Sequence, residues 1–187
     1  MTDKAQLREH ALLHLDRMQP GVEDPENTVD LFYNHVPLKD GQVVALYWPI
    51  GKELDSRYLI DDLIKRGHSV ALPVSSKKDR VMTFAKWNGK GDLVKGDFGI
   101  FVPPKIETVD PDVVVVPFLA FDRRGNRLGR GAGHYDATLE SLRSKREILV
   151  IGLGYASQAV LFNLPAEPHD QRLDMVVTPN GVHDFRS

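Results

Sequence analysis

Four consecutive valines at positions 113–116 follow Asp112 near the middle of the chain. A strand that is apolar at every position has both faces covered, which is typical of a parallel sheet between helices. Shorter apolar runs predict further strands at 43–48, 69–73, 148–153 and 175–178. Helices are predicted at 3–18, 56–66 and 134–144. Another helix is predicted to begin with Asp24 as N-cap and Pro25 in its first position. Because strands and helices alternate, we predict an α/β fold with three layers, α/β/α, and a mostly parallel central sheet.

The composition of the 187-residue chain excludes several kinds of protein. It contains no cysteine, so it has no disulfide, iron–sulfur cluster, thiolate zinc site or cysteine nucleophile. The segment 1–17 lacks the apolar stretch of a secretory signal, and no apolar run approaches the ~20 residues of a membrane helix. A net charge of −2 offers no general attraction to nucleic acid. We therefore predict one cytoplasmic domain, residues 1–187, without membrane or nucleic-acid partners, in which any anion site is built locally.

Arginine and glycine are concentrated in the segment 121–136, whose sequence is FDRRGNRLGRGAGHYD. Four arginines and four glycines lie between positions 123 and 133, directly before a predicted helix. Glycine lets backbone N–H groups approach a ligand, and arginine pairs two phosphate oxygens at once. The N-terminal end of the helix adds positive charge, and Asp136 in its first turn is suited to hold Mg²⁺ against phosphates. The segment therefore predicts a polyphosphate site.

Two other interpretations of this segment stay open from the residues alone. The spacing is neither that of a P-loop, which ends in Gly-Lys-Ser/Thr, nor that of the dinucleotide motif G-x-G-x-x-G. A flexible surface loop with solvated arginines would have the same composition, and so would a basic loop that contacts RNA. The connection at 117–133 contains no predicted element, and loops of such length in compact domains are usually functional or disordered.

Together with Val116-Pro117, the segment 121–136 resembles the hallmark of 5-formyltetrahydrofolate cyclo-ligases, also called methenyltetrahydrofolate synthetases. Four further segments agree with that family in order and spacing, so the resemblance spans nearly the whole chain. They are K-x-x-L-R at 4–8, Trp48 to Glu53, Phe98-Gly99-Ile100 with Pro103, and the tail from Pro168-His169-Asp170 to Thr178.

The resemblance implies a fold and a reaction. The fold would be Rossmann-like, of the NagB/RpiA/CoA-transferase type. The reaction would be the ATP- and Mg²⁺-dependent conversion of 5-formyltetrahydrofolate to 5,10-methenyltetrahydrofolate, with release of ADP and phosphate. The implied ligands are therefore small molecules, namely ATP and 5-formyltetrahydrofolate with its polyglutamates, and no obligate protein partner is expected.

The resemblance also implies roles for individual residues. The nucleotide-binding residues would be Lys4, Arg8, Arg127, Gly129, Arg130, Gly131, Ala132, Gly133, His134 and Tyr135. The folate-binding residues would be Arg8, Trp48, Glu53, Arg130, Gly131, Ala132, Gly133 and His134. The catalytic residues would be Arg127, Arg130, His134 and Tyr135, and the magnesium ligands would be Asp136 and Asp174.

Departures from the family pattern and rival functions must be weighed against this interpretation. His134 stands where the family commonly has tyrosine, and Ala132 where some relatives have a larger residue. A diverged, non-catalytic module that binds nucleotide or folate, or a ligase for another N-formyl compound, is the alternative. His169-Asp170 alone is a weak indication of a metal-dependent phosphohydrolase. Without the resemblance, Lys4 and Arg8 would be a solvated helix face, and Trp48 an ordinary core residue.

Overall fold

The computed structural model describes residues 3–19 and 21–186. Its four α-helices are α1 (Lys4–Arg17), α2 (Asn27–His35), α3 (Arg57–Lys65) and α4 (His134–Lys145). Short 3₁₀ helices lie at Asp97–Gly99 and Ala156–Gln158. None of the described helices combines the length and apolar character that crossing a membrane requires.

Seven strands form the central sheet. In chain order they are β1 (Val43–Leu46), β2 (Ser69–Val74), β3 (Thr83–Trp87), β6 (Val113–Val116), β9 (Leu149–Leu153), β10 (Met175–Thr178) and β11 (Gly181–Asp184). Their order across the sheet is β11-β10-β9-β6-β1-β2-β3. The five inner strands are parallel to one another, and only the edge strands β3 and β11 are antiparallel to their neighbours.

The valine strand β6 shows why the sheet needs two helical layers. Val113 and Val115 pack in a cluster with side chains of α2 and α3, whereas Val114 and Val116 pack with Leu139 and Leu142 of α4 on the other face. Successive side chains of a strand point to opposite faces, so a strand of four buried valines requires cover on both sides. The predicted three-layer α/β fold with a mostly parallel sheet is confirmed.

Two small hairpins lie outside the sheet. One pairs β4 (Val94–Lys95) with β5 (Phe101–Val102), and the other pairs β7 (Ala120–Phe121) with β8 (Arg127–Leu128). The second hairpin lies within 117–133, where no element was predicted, because two-residue strands carry too little periodicity to be seen in a sequence. Apolar residues of this hairpin pack beneath α1, together with Leu164.

The boundaries of α2 and the C-terminal hairpin differ from the prediction. The chain makes a turn at Pro25, with the Asn27 N–H bonded to the Asp24 carbonyl, and α2 begins only at Asn27 with Glu26 as N-cap. The Asp24 carboxylate still accepts a hydrogen bond from the Glu26 N–H. It therefore stabilises the turn that precedes α2 and does not cap the helix itself. Strand β11 was not predicted, since its half-exposed residues lack a continuous apolar run.

Candidate active site

One cavity of about 450 Å³ lies beyond the carboxyl ends of β1, β2 and β6. Open α/β sheets bind ligands at this edge because the loops that follow the strands converge there. The N-terminal helix α1, the β7–β8 hairpin and the start of α4 complete the wall. The predicted site residues that line the cavity are Lys4, Arg8, Trp48, Glu53, Arg127, Gly129, Arg130, Gly131, Ala132, Gly133, His134, Tyr135 and Asp136.

Arg127 is the most enclosed cation of the cavity. It leaves β8 with a side chain that is only 6% exposed, and its Nη2 lies 3.4 Å from Asp136 Oδ1. Its Nη1 donates to the Pro117 carbonyl at 3.3 Å, and its guanidinium lies 5.6 Å from the centre of the Tyr135 ring. The buried Nε has no hydrogen-bond partner among the described residues. A buried donor without an acceptor is costly, so this atom is suited to an anionic ligand.

The glycine loop between β8 and α4 has little side-chain bulk. Gly133 is the N-cap of α4 and has φ +76°, a conformation that L side chains rarely adopt. A Cβ on Gly131 would lie 3.3 Å from the guanidinium of Arg8, whose Nε donates to the Gly129 carbonyl at 3.0 Å. The Arg8 side chain therefore ties α1 to the backbone of the loop, and the positive end of α4 lines the cavity.

Lys4 reaches across from α1 to the C-terminal part of the chain. Its Nζ lies 2.7 Å from Asp170 Oδ2 and 3.0 Å from Glu167 Oε2. Desolvation lowers the pKa of Lys4, but the hydrogen bonds and charges of the two carboxylates outweigh it, so the pKa is raised. For Asp170, desolvation is likewise outweighed by Lys4, and the pKa of its carboxyl is lowered. Both groups are thus held in their charged forms.

Glu53 is a buried carboxylate in the lining of the same cavity. Its side chain is 7% exposed, its Oε1 lies 3.3 Å from Arg130 Nε, and its Oε2 accepts the Ile50 N–H at 2.9 Å. Burial raises the pKa of this carboxyl, and the Ile50 hydrogen bond and the Arg130 charge offset only part of that effect. Burial, together with the Glu53 charge, also raises the pKa of the nearby Tyr135 phenol, which stays a neutral donor.

Aromatic side chains flank this acidic side. Trp48 follows β1, packs against the core beneath α2 and α3, and also lines the cavity, so core packing and ligand contact are compatible at this position. Phe98 was not predicted as a site residue. It is 56% exposed, has φ +58°, and its ring lies 5.2 Å from that of His134. The Phe98-Gly99-Ile100 motif was the only sequence signal for it.

The predicted second magnesium ligand, Asp174, lies away from the cavity. Asp174 lies at the amino end of β10, where its Oδ2 accepts the Val150 N–H at 2.7 Å and is 3.4 Å from Arg143 Nη2. It lines a separate, open depression and does not reach the cavity. The geometry therefore does not support Asp174 as a partner of Asp136, and a strand-start aspartate that binds backbone describes it better.

Asp170 lies where Asp174 was expected. It lines the cavity, and the N–H of the next residue, Gln171, donates to Asp136 Oδ1 at 3.0 Å. Glu167, His169 and Asp170 also place one possible metal-ligand atom each within 4.8 Å of the others. Carboxylate oxygens are the ligands that Mg²⁺ prefers, so Asp136 and Asp170 fit a magnesium ion beside a polyphosphate. Asp170 belongs to the tail motif from Pro168 to Thr178, but the prediction named Asp174 of that motif as the ligand.

Together, fold and site define an α/β protein with a cationic, glycine-rich anion site at the carboxyl ends of parallel strands and a buried carboxylate facing it. The model of the 5-formyltetrahydrofolate cyclo-ligase family matches residues 1–179. The chain belongs to this family.

Individual relatives agree with that assignment. A 5-formyltetrahydrofolate cyclo-ligase of Mycolicibacterium smegmatis is 38% identical over 147 residues, which cover 74% of this chain and 74% of the relative. The Escherichia coli protein of the same name is 33% identical over 157 residues, which cover 80% of this chain and 84% of the relative. The solved structure of an Aquifex aeolicus 5,10-methenyltetrahydrofolate synthetase matches with a TM-score of 0.81 at 28% identity, covering 98% of this chain and 93% of that one.

Proposed function

We propose that this protein converts 5-formyltetrahydrofolate to 5,10-methenyltetrahydrofolate, using ATP and Mg²⁺ and releasing ADP and phosphate. The observation that carries the proposal is the convergence, in one cavity, of cations from two distant parts of the chain with the buried carboxylate Glu53. Lys4 and Arg8 come from α1, and Arg127 and Arg130 from the hairpin and the loop after it. We further propose that the enzyme acts in the cytoplasm and accepts folate polyglutamates.

The cationic half of the cavity is assigned to the nucleotide. The buried Nε of Arg127 has no hydrogen-bond partner among the described residues, and no side chain caps the positive N-terminal end of α4 there. Lys4 and Arg8 would close over the phosphates from α1. Phosphoryl transfer needs positioning and neutralisation of charge more than covalent help from the protein, and these side chains supply both.

Asp136 and Asp170 are assigned to the magnesium ion. When bound, the ion would neutralise the negative charge of the phosphates. The two carboxylates are 22% and 19% exposed, so each keeps a face toward the cavity. Lys4, which is paired with Asp170 in the structure, is then available for a phosphate oxygen.

The acidic half of the cavity is assigned to the folate. The carboxylate of Glu53 is an acceptor for the N–H groups along the edge of the pterin ring. Trp48 and Phe98 present aromatic faces to which a flat bicyclic ring can stack. Arg130 and His134 lie between the two halves and would meet the formyl end of the folate where it approaches the terminal phosphate.

The reaction divides into two displacements. The formyl oxygen attacks the γ-phosphorus, the bond to the β-phosphate oxygen breaks, and ADP leaves. N10 of the folate then attacks the activated formyl carbon, the carbon–oxygen bond breaks, and phosphate leaves as N10 loses its proton. Arg127 and Arg130 stabilise the charge that moves between the phosphate oxygens. The neutral phenol of Tyr135 keeps the wall beside Arg127 uncharged.

The test is formation of the methenyl chromophore when the purified protein is mixed with 5-formyltetrahydrofolate, ATP and Mg²⁺. We expect turnover that requires all three components. Absence of product at every pH between 5 and 8, although nucleotide and folate both bind, would contradict the proposal and favour the non-catalytic alternative.

A further inference from the structure

Three of the four cations assigned to the phosphates are already paired with a carboxylate of the same cavity, and the fourth, Arg8, donates to the Gly129 carbonyl. Lys4 pairs with Asp170 at 2.7 Å, Arg127 lies 3.4 Å from Asp136, and Arg130 lies 3.3 Å from Glu53. The first two pairs join groups within the nucleotide and metal half. The third pair is different, because it joins the nucleotide half to the folate half. A ligand in either half therefore competes for one member of this pair.

The side chains of Arg130 and Glu53 differ in conformational freedom. The Glu53 side chain is 7% exposed, and its second oxygen is held by the Ile50 N–H at 2.9 Å. The Arg130 side chain is 46% exposed and lies between Gly129 and Gly131, where the backbone is least restricted. When a phosphate draws Arg130 away, Glu53 stays behind as a buried carboxylate without a charge partner, which is unfavourable.

Nucleotide alone and folate alone must each break this pair. A nucleotide takes Arg130, and a folate takes Glu53 through its N–H groups. When both ligands are present, the pair is broken only once. The pterin N–H groups then bind Glu53 in place of Arg130, and the phosphates bind Arg130 in place of Glu53. We infer that the Arg130–Glu53 pair couples the two sites, so that each substrate increases the affinity for the other.

This inference rests on the proposed function, since it takes the two ligands to be a nucleotide and a reduced folate. Its consequence is that neither substrate alone occupies the site efficiently. Reciprocity requires the two effects to be equal, so folate must tighten nucleotide binding by the same factor as nucleotide tightens folate binding.

The first measurement uses the unaltered protein. Titration calorimetry with the β,γ-imido analogue of ATP and Mg²⁺ gives the Kd of the nucleotide with and without saturating 5-formyltetrahydrofolate, in the absence of turnover. We expect the folate to lower this Kd by about fivefold or more, the lower end of typical couplings between sites. The reverse titration should give the same factor.

The second measurement assigns the coupling to the pair. Glu53→Gln keeps an acceptor for the Ile50 N–H but removes the charge that holds Arg130. Without folate, this variant should bind the nucleotide analogue more tightly than the unaltered protein, by about the coupling factor. The matched control is Asp55→Asn in the same loop, whose carboxylate is 2.6 Å from Arg57 and does not line the cavity. The control should bind the nucleotide as the unaltered protein does.

The outcomes separate the inference from the proposed function. Tighter nucleotide binding by Glu53→Gln, but not by Asp55→Asn, supports the inference, even though the loss of Glu53 weakens folate binding. Unchanged or weaker nucleotide binding by Glu53→Gln overturns the inference and leaves the proposed function intact. Coupling that persists undiminished in Glu53→Gln also overturns it, because the coupling then runs elsewhere. Failure of the unaltered protein to bind the nucleotide contradicts the proposed function itself.

Discussion

Arg127 is the residue whose surroundings most clearly indicate a ligand. We expect Arg127→Ala to lower turnover by ~10²–10³, the usual effect of removing one preorganised donor from a site where charge develops. The matched control is Arg123→Ala, in the same arginine-rich segment but exposed and outside the cavity, which should retain full turnover. The chromophore assay measures both variants. Equal rates for Arg127→Ala and the unaltered protein would show that the phosphates bind elsewhere.

Substitutions of Asp170 and Asp174 show which of the two aspartates binds magnesium together with Asp136. Asp170→Asn should raise the Mg²⁺ concentration for half-maximal rate by at least about tenfold, because a carboxylate ligand is lost. Asp174→Asn should leave that concentration unchanged, since the side chain binds the Val150 N–H and Arg143 at the other end of β10. The measurement is a magnesium titration of the rate. The opposite pattern would restore Asp174 as the ligand and remove Asp170.

Glu53 should affect stability in a pH-dependent way. Because its pKa is raised in the folded protein, folding favours the protonated carboxyl, and the contribution present at low pH is lost as the pH rises through the folded pKa. Glu53→Gln resembles the protonated form. Its free energy of unfolding should therefore exceed that of the unaltered protein at pH 8, and the difference should shrink toward pH 4. Denaturant unfolding at several pH values checks this, and a difference independent of pH would contradict it.

At the scale of elements, the β7–β8 hairpin is held by one buried carboxylate. Asp122 is 1% exposed and accepts the N–H groups of Arg124, Asn126 and Leu164 at 2.8–3.0 Å. It thereby fixes both the turn that presents Arg127 and the segment that leads toward Asp170. The hairpin is too short to be stable by its own strand pairing.

Removal of this carboxylate should loosen the hairpin. We expect Asp122→Ala to lower the free energy of unfolding by at least ~2 kcal/mol, since it leaves several N–H groups without an acceptor. Turnover should fall as well, because Arg127 follows the turn. Asp79→Ala, which removes an exposed carboxylate that accepts the Val81 N–H, is the control and should change stability little. Denaturant unfolding of the two variants compares them directly, and equal losses would exclude the special role of Asp122.

At the scale of the whole molecule, α1 packs on the β7–β8 hairpin through a few apolar side chains and is tied to distant segments by polar contacts. Only Leu15 of this helix is buried, and Lys4 and Lys52 each tie it to a distant segment. Lys4 binds Asp170 inside the cavity, whereas Lys52 donates to the Asp16 carbonyl outside it at 2.8 Å. The first turn of α1 thus reaches a cavity whose lining comes mainly from residues more than a hundred positions later.

The two lysines should differ in their effect on ligand binding. Lys4→Gln should weaken binding of the β,γ-imido ATP analogue about tenfold, the loss expected for one charge-assisted hydrogen bond. Lys52→Gln should bind the analogue normally, while both variants should show faster amide hydrogen exchange in α1. Calorimetry and exchange measured on the same samples separate the roles. Equal affinities for the two variants would mean that Lys4 only anchors the helix.

Much of the architecture was readable in the sequence because it depends on local patterns. The buried strand β6, the helices α1, α3 and α4, and the glycine-rich loop each produce a signal within a few residues. The hairpin β7–β8 and the edge strand β11 produced none, since their short strands are defined by pairing partners and not by periodicity. Phe98 was likewise not predicted as a site residue, because its position beside His134 depends on the path of the β4–β5 connection.

The sequence alone determined the kind of sheet and the family and singled out the arginine- and glycine-rich segment, because apolar runs, glycines and a long motif are properties of neighbouring residues. Only the tertiary structure decided which carboxylates face the cavity. Asp170 and Asp174 lie four positions apart, and extended chain of that length spans about 13 Å. This is enough to place one beside Lys4 and the other at the far end of β10. Long-range pairing of charges, as between Arg130 and Glu53, is set by how loops converge and not by the residues around either one.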